Sequence, residues 1–302
     1  MRNEEPGAKL EREAGVSSRF PIRMRYLHRV PAPPLDPFIS ALWFWESDPK
    51  PHAFERVLPT GAAQLIVNLK EDQTRVYRPG SARHCDVTFG TVLSGVQSRF
   101  CVIDTAEQEC VLGAAFRPGG TIPFFQIAAH ELRDTEIPLC ALWGRSGAEL
   151  LREQLLEAPD PCSKLDILES ALTQKCSPVG LLPVISFALA EFALHSHDVK
   201  IAEVIDRTGL SQKRFIEKFK SAVGVSPKRY CRILRFQQAL AHAEGGHRLD
   251  WTRIAMECGY FDQAHFIHDF RSFAGVTPTG YQAERTEFRN HVKFIQSDAA
   301  FP

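Results

Sequence analysis

The chain has 302 residues, a length typical of two domains, and 44% of its residues are hydrophobic, enough to bury a core in each. Its 36 basic and 36 acidic side chains cancel, which excludes a protein that holds nucleic acid mainly through overall positive charge. No stretch approaches eighteen consecutive apolar residues, so we expect no transmembrane helix and no membrane partner.

The first twenty residues predict a segment without fixed structure. Residues 1–20 are rich in charged and small side chains and contain few large apolar groups that could be buried. They also lack the apolar stretch of a secretory signal peptide, so we expect a cytoplasmic protein.

The next part of the chain, up to residue 116, has the pattern of short strands. Apolar segments recur every ten to fifteen residues or so and are separated by turns rich in Gly and Pro. These segments are Phe38–Trp45, Gln64–Leu69, Arg75–Tyr77, Asp86–Phe89, Arg99–Ile103 and Cys110–Phe116. Their spacing predicts a small antiparallel β barrel or sandwich.

After Arg117 the spacing of apolar residues becomes helical, at three- and four-residue intervals. We predict helices over Thr121–His130, Leu139–Ala158, Ser163–Gln174 and Val184–His195. The expected fold class is therefore α+β, with the strands followed by helices.

The strand and helix region, residues 21–180, lacks the patterns that carry catalysis. It has no pair of carboxylates, nucleophile elbow, phosphate loop or set of metal ligands, so we expect no catalytic residue, no metal and no cofactor. The eight cysteines are scattered without a CxxC pair. We interpret them as small buried hydrophobic residues, with a redox-sensing pair as the alternative.

The last third of the chain contains a two-fold repeat. Five matching pairs are each 51 residues apart: Phe215 and Phe266, Phe219 and Phe270, Gly224 and Gly275, Pro227 and Pro278, and Tyr230 and Tyr281. Gly209 and Gly259 are 50 residues apart, so the second copy carries one extra residue after its glycine. Two copies are too few for a solenoid but fit two helix-turn-helix units.

Each copy has the local signals of that motif. A first helix would end at Gly209 or Gly259, because glycine readily takes the positive φ found at helix C-termini. Ser211 and Asp262 would then cap the second helix. An apolar stripe that includes Phe215 would face the core, and polar residues would face outward. The alternative is a plain helical hairpin with a solvated face.

Residues 181–288 resemble the DNA-binding domain of the AraC/XylS family of bacterial transcription regulators. The resemblance lies above all in the segments Ile254–Phe266 and Gly275–Tyr281. It implies an all-α domain in which one long helix joins two helix-turn-helix units, each with a recognition helix in successive segments of the major groove. Here that helix would begin near Ser226 and Pro227 and stop before Gly245.

The family resemblance also assigns the residues that would contact DNA. Base-reading positions would be Gln212, Lys213, Arg214, Ile216 and Glu217 in the first unit, and Gln263, Ala264, His265 and His268 in the second. Phosphate contacts would come from Lys218, Lys220, Lys228, Arg229, Arg235 and Arg271. Glu217 and His268 stand where an arginine is common in the family, so another member's operator sequence does not transfer.

Motifs in the N-terminal part resemble an uncharacterised domain attached to many AraC-type regulators. They are Leu58–Gly61, Phe116–Gly120 and Leu142–Gly144. The resemblance implies a regulatory domain but not what it senses. Arg117 is a candidate for binding an anionic effector. The alternative is a sharp strand-to-helix turn in which Arg117 covers apolar surface.

The sequence thus predicts a transcription factor with four segments. They are a disordered segment 1–20, a regulatory domain 21–180, a DNA-binding domain 181–288 and a tail 289–302. The expected partners are double-stranded DNA, a small-molecule effector, a second copy of the chain and, for an activator, RNA polymerase. The alternatives are an enzyme built on the barrel and a DNA-repair methyltransferase, but the cysteine spacing that the latter needs is not present.

Overall fold

The computed structural model describes residues 24–77, 85–244 and 249–294. The disorder expected for residues 1–20 lies outside these ranges, and so do residues 295–302 of the expected tail. The boundaries of the four segments stay predictions.

Two antiparallel sheets are built from strands of the first half of the chain and one strand near its C-terminus. The strands are β1 Met24–Arg29, β2 Ile39–Ser47, β3 Phe54–Val57, β4 Gln64–Asn68, β5 Gln73–Tyr77, β6 Cys85–Phe89, β7 Thr91–Ser94, β8 Cys101–Asp104, β9 Cys110–Phe116, β10 Glu136–Pro138 and β11 His291–Phe294. One sheet has the order β1-β2-β9-β4-β7-β10 and the other β11-β3-β8-β5-β6. The sheets form a sandwich-like arrangement rather than a closed barrel.

The six predicted strand segments are confirmed as β2, β4, β5, β6, β8 and β9. The short strands β1, β3, β7 and β10 were not predicted. β3 alternates poorly, because both of its central residues, Glu55 and Arg56, are charged and yet buried. Two adjacent charged residues do not predict a buried strand, because their partners elsewhere in the chain cannot be identified from the sequence.

Eleven α-helices lie within the described ranges. They are α1 Ile122–Phe125, α2 Leu139–Trp143, α3 Arg145–Glu157, α4 Pro161–Lys175, α5 Pro183–Leu194, α6 Ile201–Arg207, α7 Gln212–Val223, α8 Pro227–His242, α9 Trp251–Glu257, α10 Gln263–Ala274 and α11 Pro278–Glu284. The predictions for α4, α5 and the joining helix α8 are confirmed to within a few residues.

Two helix predictions were too long. The helix expected over Thr121–His130 ends at Phe125, because Gln126 takes a left-handed conformation with φ of 54°. The helix expected over Leu139–Ala158 is broken at Gly144, whose φ is 81°. In both places the apolar periodicity continues across a backbone conformation that no helix can contain.

The C-terminal segment returns to the N-terminal sheets, which the sequence did not predict. β11 pairs antiparallel with β3, and Val292 lies opposite Arg56. Because Val292 is fully buried, the segment 291–294 is part of the folded core rather than a tail.

Two large apolar clusters fill the molecule, and both cross the expected domain boundary. Phe215 and Phe219 of α7 belong to one continuous cluster with Leu65 and Leu93 of the first sheet. The second cluster surrounds Phe236 of α8 and also includes residues before β4 and in β11. The helices of the C-terminal part are thus packed directly on the N-terminal sheets.

Candidate nucleic-acid interface

The first helix-turn-helix unit, residues 201–223, has the predicted local geometry. α6 is followed by Gly209, whose φ of 68° reverses the chain. The side chain of Ser211 then caps α7 by accepting a hydrogen bond from the Arg214 amide at 3.4 Å. Phe215 and Phe219 are fully buried, and Gly224 ends the helix with φ of 94°. The signals read from the sequence are therefore the ones that shape this unit.

The second unit, residues 251–274, repeats this geometry. Gly259 has φ of 72° at the end of α9. Asp262 Oδ1 accepts a hydrogen bond from the His265 amide at 2.7 Å and caps α10. Phe266 is fully buried, and Gly275 closes the helix with φ of 71°. The repeat in the sequence is thus a repeat in structure.

The predicted base-reading residues lie on the outer faces of α7 and α10. Seven of them are exposed: Gln212, Lys213, Arg214, Glu217, Gln263, Ala264 and His268. Ile216 and His265 are half-buried. The exposed positions concentrate in the first turns of both helices, which is the part of a recognition helix that meets base edges. That these residues read bases stays a prediction.

The predicted phosphate-contacting residues divide into two groups. Lys220, Lys228 and Arg271 are exposed and Lys218 is half-buried. Arg229 and Arg235 are half-buried and already hold protein partners. Arg235 donates to the carbonyl of Gly259 at 3.1 Å and lies over the Tyr260 ring at 5.3 Å. This arginine positions the turn of the second unit.

Arg229 connects α8 to both halves of the molecule. Its Nη2 donates to the Ser98 carbonyl, and its guanidinium lies 4.4 Å from the centre of the Phe273 ring. Burial, and then the nearby charge of Arg232, lower the pKa of Arg229. Arg229 is therefore better placed to hold the second unit on the N-terminal sheets than to reach a phosphate.

A buried ion pair joins the long helix to the second recognition helix. Arg232 of α8 donates to both carboxylate oxygens of Asp269, at 3.0 and 2.6 Å. Burial alone would raise the pKa of Asp269, but the hydrogen bonds and charge of Arg232 outweigh it and hold the pKa below its ordinary value. His265 and His268 flank the same carboxylate at 3.8 and 3.7 Å. Sequence reasoning missed this pair, because the two residues are 37 positions apart.

One loop of the N-terminal part contacts both helix-turn-helix units. We call residues 95–100, between β7 and β8, the bridging segment. Its Val96 lies against Gly224, where an added Cβ would be 3.2 Å from the Val96 side chain. Its Phe100 amide donates to the Phe273 carbonyl at 3.0 Å. The glycines that end α7 and α10 therefore face the same segment.

The motif Leu58–Gly61 packs against the joining helix α8. Gln237 Nε2 donates to the Pro59 carbonyl at 2.8 Å. Gly61, with φ of 81°, lies where a Cβ would be 3.3 Å from the Tyr230 ring. The motif thus acts in packing the two parts together, a role that no local sequence pattern indicates.

Arg117, the candidate effector-binding residue, is exposed, and its Nε donates to the Asp36 carbonyl at 2.9 Å. It borders a cavity between the sheets and α7 that is lined in part by Ala129 and Ala222. The cavity volume of about 10 Å³ holds about one water molecule, whereas ligand pockets measure several hundred Å³. An effector site at Arg117 stays a prediction.

The cysteines of the described residues differ in their burial. Of the eight cysteines, Cys101, Cys231 and Cys258 are buried, Cys162 is exposed and the rest are half-buried, so the expectation of burial was only partly right. No group of three or more His, Cys, Asp or Glu side chains in these ranges is placed to hold a metal ion. Among the helices of the described part, none is long and apolar enough to cross a membrane.

The fold and this interface define a protein in which paired helix-turn-helix units are packed on antiparallel sheets. Residues 27–138 match the family described as Domain of unknown function (DUF6597), and residues 204–284 match the family described as Helix-turn-helix domain. The chain therefore carries an AraC-type helix-turn-helix domain behind an N-terminal domain of unknown function, and both resemblances are confirmed.

Known transcription regulators are similar to part of the chain. The "Probable transcriptional regulator LumQ" of Photobacterium leiognathi is 33% identical over 85 residues, which cover 28% of this chain and 34% of that protein. The "HTH-type transcriptional regulator GadX" of Escherichia coli (strain K12) is 34% identical over 74 residues, 24% of this chain and 26% of that protein. The matches thus span less than half the length of these curated relatives.

Solved structures resemble the chain at low identity. ToxT from Vibrio cholerae covers 87% of this chain and 98% of its own length, with 9% identity and a TM-score of 0.46. The DNA-binding domain of AdpA, solved in complex with a target DNA, covers 33% of this chain and 89% of its own length, with 23% identity and a TM-score of 0.31.

Proposed function

We propose that the protein is a sequence-specific DNA-binding regulator of transcription of the AraC type. One observation carries the proposal: two helix-turn-helix units in the same repeat each bury one face of the second helix and expose the other. Phe215 and Phe266 lie on the buried faces, and Lys213 and Ala264 on the exposed ones. A helix presented in this way can enter the major groove of B-DNA.

Base readout belongs to exposed residues in the first two turns of α7 and α10. Lys213 can donate to guanine, and Glu217 can accept from the amino group of cytosine. His268 is 80% exposed at its side chain and can donate to guanine or to phosphate. Because these chemistries differ between the helices, the two groove segments should carry different sequences rather than a direct repeat.

Phosphate contacts supply the part of the affinity that does not depend on sequence. Residues 198–289 hold 15 Lys and Arg side chains against 11 Asp and Glu, whereas residues 21–180 hold 16 against 19. Lys220, Lys228 and Arg271 are exposed near the ends of α7, α8 and α10. The excess charge is small, so binding should be moderate in strength and sensitive to salt.

The N-terminal part is proposed to control DNA binding. A ligand shifts such an equilibrium only by its difference in affinity for the competent and incompetent states. The bridging segment contacts both units, so a displacement of residues 95–100 would change the distance and angle between α7 and α10. An effector bound near Arg117, or self-association of the chain, would supply that difference.

Further roles follow from this function. A homodimer would bind two sites, and an activator would also contact RNA polymerase. We place the protein in the cytoplasm, with the DNA, and assign it no catalytic activity.

The test is selection of bound fragments from sheared genomic DNA by the purified full-length protein at about 0.15 M salt. The matched control is the full-length variant Lys213→Glu/Arg271→Glu, in which two exposed cations become anions; within the described residues neither side chain forms a hydrogen bond or an ion pair. A sequence motif shared by fragments retained by the wild type and absent from those retained by the variant supports the proposal. Equal retention of unrelated fragments by both proteins contradicts it.

A further inference from the structure

The turn of the second helix-turn-helix unit carries an apolar side chain that the fold does not use. Phe261 is 92% exposed, the largest exposed fraction of any large apolar side chain in the described part of the chain. Its neighbour Tyr260 is 5% exposed and packs on the Phe266 ring at 5.1 Å. Single exposed apolar residues are common on protein surfaces, so the position of Phe261 decides what it means.

The two turns differ by this residue. In the first unit one residue, Leu210, separates the positive-φ glycine from the helix cap Ser211. In the second unit two residues, Tyr260 and Phe261, stand between the glycine and the cap. Leu210 and Tyr260 both pack into the apolar clusters of their units. Phe261 is therefore the extra residue of the second copy, without a counterpart in the first.

Phe261 also lies at the end of α10 that would approach DNA. It directly precedes the cap Asp262, and the next two residues, Gln263 and Ala264, are exposed as well. The N-terminal residues of a recognition helix are the ones that contact base edges in the major groove. An aromatic ring at this position is thus next to the groove when the helix enters it.

We propose that Phe261 contacts the C5-methyl group of a thymine in the groove segment read by α10 and so selects for that base. The inference rests on the proposed function. A phenyl ring offers neither a donor for phosphate nor an acceptor for base amino groups. The thymine methyl is the apolar feature of the major-groove edge, and Ala264 extends the apolar surface that faces it.

The test removes the methyl group alone. The binding site recovered from genomic DNA is synthesised with each thymine of the second groove segment replaced, one at a time, by uracil. Uracil keeps base pairing and lacks only the methyl group. At one position the wild-type protein should bind about fourfold more weakly, the factor that corresponds to one buried methyl.

The protein is changed in parallel. Phe261→Ala should weaken binding to the unmodified site about tenfold, and the uracil substitution that matters for the wild type should then have no effect. The control is Leu194→Ala at the end of α5, where an apolar side chain 71% exposed lies outside both units. It should keep wild-type affinity and wild-type sensitivity to uracil. Because both side chains are exposed, neither change should alter the melting temperature.

The outcomes separate this inference from the function on which it rests. If no motif is recovered by the wild type, the proposed function fails and the inference fails with it. If a motif is recovered but Phe261→Ala retains full affinity, or stays sensitive to the same uracil, the thymine contact is wrong while the function stands. Unchanged DNA affinity with a smaller oligomer in Phe261→Ala would assign the ring to a contact between copies and overturn the proposal.

Discussion

The backbone amide of Phe100 donates a hydrogen bond to the carbonyl of Phe273, so the N-terminal sheets and the second recognition helix are joined main chain to main chain. The Phe100 ring reinforces the connection, because a Cβ on Gly275 would lie only 2.5 Å from its Cε1 atom. In the first unit the Ala129 amide donates to the Ser221 carbonyl at 2.7 Å. Both recognition helices are therefore held at their C-terminal ends and exposed at their N-terminal ends.

Phe100→Ala should loosen the second unit while the sheets stay folded. Loss of the half-buried ring removes its packing on Gly275, which we expect to lower the free energy of unfolding by about 2 kcal/mol. Hydrogen exchange at the amide of residue 100 should accelerate. Phe89→Ala on β6 is the control, since that ring is 52% exposed and its loss should cost less than about 0.5 kcal/mol. Equal effects of the two changes would contradict the role given to Phe100.

Two glycines in matching turns should respond differently to alanine. Gly209 and Gly259 both have positive φ, but a Cβ on Gly209 meets nothing within 4 Å, whereas one on Gly259 would overlap the His197 carbonyl oxygen. Gly209→Ala should therefore lower the free energy of unfolding by only about 1 kcal/mol, the cost of placing an alanine in the left-handed conformation. Gly259→Ala should lower the free energy of unfolding by well over twice as much, as measured by urea unfolding of both variants. Similar costs would show that the turn of the second unit does not pack on residue 197.

A buried carboxylate should make stability depend on pH. Glu55 is fully buried, with Lys50 and His52 each 2.7 Å from Oε1 and His291 of β11 2.7 Å from Oε2. Burial acts to raise the pKa of Glu55, but the hydrogen bond and charge of His291, followed by those of Lys50, hold the pKa far below its ordinary value of 4.5. Because the pKa of Glu55 is lower in the folded protein than in the unfolded chain, the ionised carboxylate stabilises the fold. This stabilisation is fully present above the pKa of the unfolded chain and is lost as the pH falls below about 4.5.

The substitution Glu55→Gln tests whether this carboxylate makes stability depend on pH. At pH 7 the free energy of unfolding of the variant should be about 3 kcal/mol lower, because the ammonium group of Lys50 loses its buried anionic partner. The difference from the wild type should shrink as the pH is lowered below about 4.5, measured by urea unfolding between pH 3 and 7. A difference that is constant over this range would mean that the carboxylate carries no linked charge.

Substitutions on the exposed helix faces should separate base readout from phosphate contact. Lys213→Ala and His265→Ala should relax base preference at defined positions, each by about 1 to 3 kcal/mol, whereas Arg271→Ala should weaken binding to all sequences alike. Competition binding with single-base variants of the selected site measures both effects. Arg235→Ala should also weaken binding to all sequences, but here through the turn held at Gly259. A uniform loss for Lys213→Ala would contradict its assignment to base readout.

Local signals predicted the helix-turn-helix units well. Gly209 and Gly224 act through their own positive φ, and Ser211 acts through a side-chain hydrogen bond three residues along the chain. Gly259, Asp262 and Gly275 repeat the same local signals. The apolar stripe containing Phe215 also needs no distant partner to be recognised.

What the sequence did not predict depends on contacts between distant segments. β11 becomes a strand only because β3 offers it an edge. The buried charges in β3 are tolerated because Glu284 pairs with Arg56, and because His291 pairs with Glu55 in addition to the nearby Lys50 and His52. Two further contacts likewise join residues far apart in the chain. They are the packing of Leu58–Gly61 against α8 and the ion pair between Arg232 and Asp269. The helix predicted to continue beyond Phe125 ends there, because the backbone of Gln126 is left-handed.

The most direct test of the central claim, that α7 and α10 each read one segment of the major groove, is a hydroxyl-radical footprint of the full-length protein on its selected site. The account predicts two protected clusters centred about ten base pairs apart. Lys213→Glu should remove protection from one cluster, and Arg271→Glu from the other. A single cluster, or loss of the same protection in both variants, would contradict the claim that two units read the DNA.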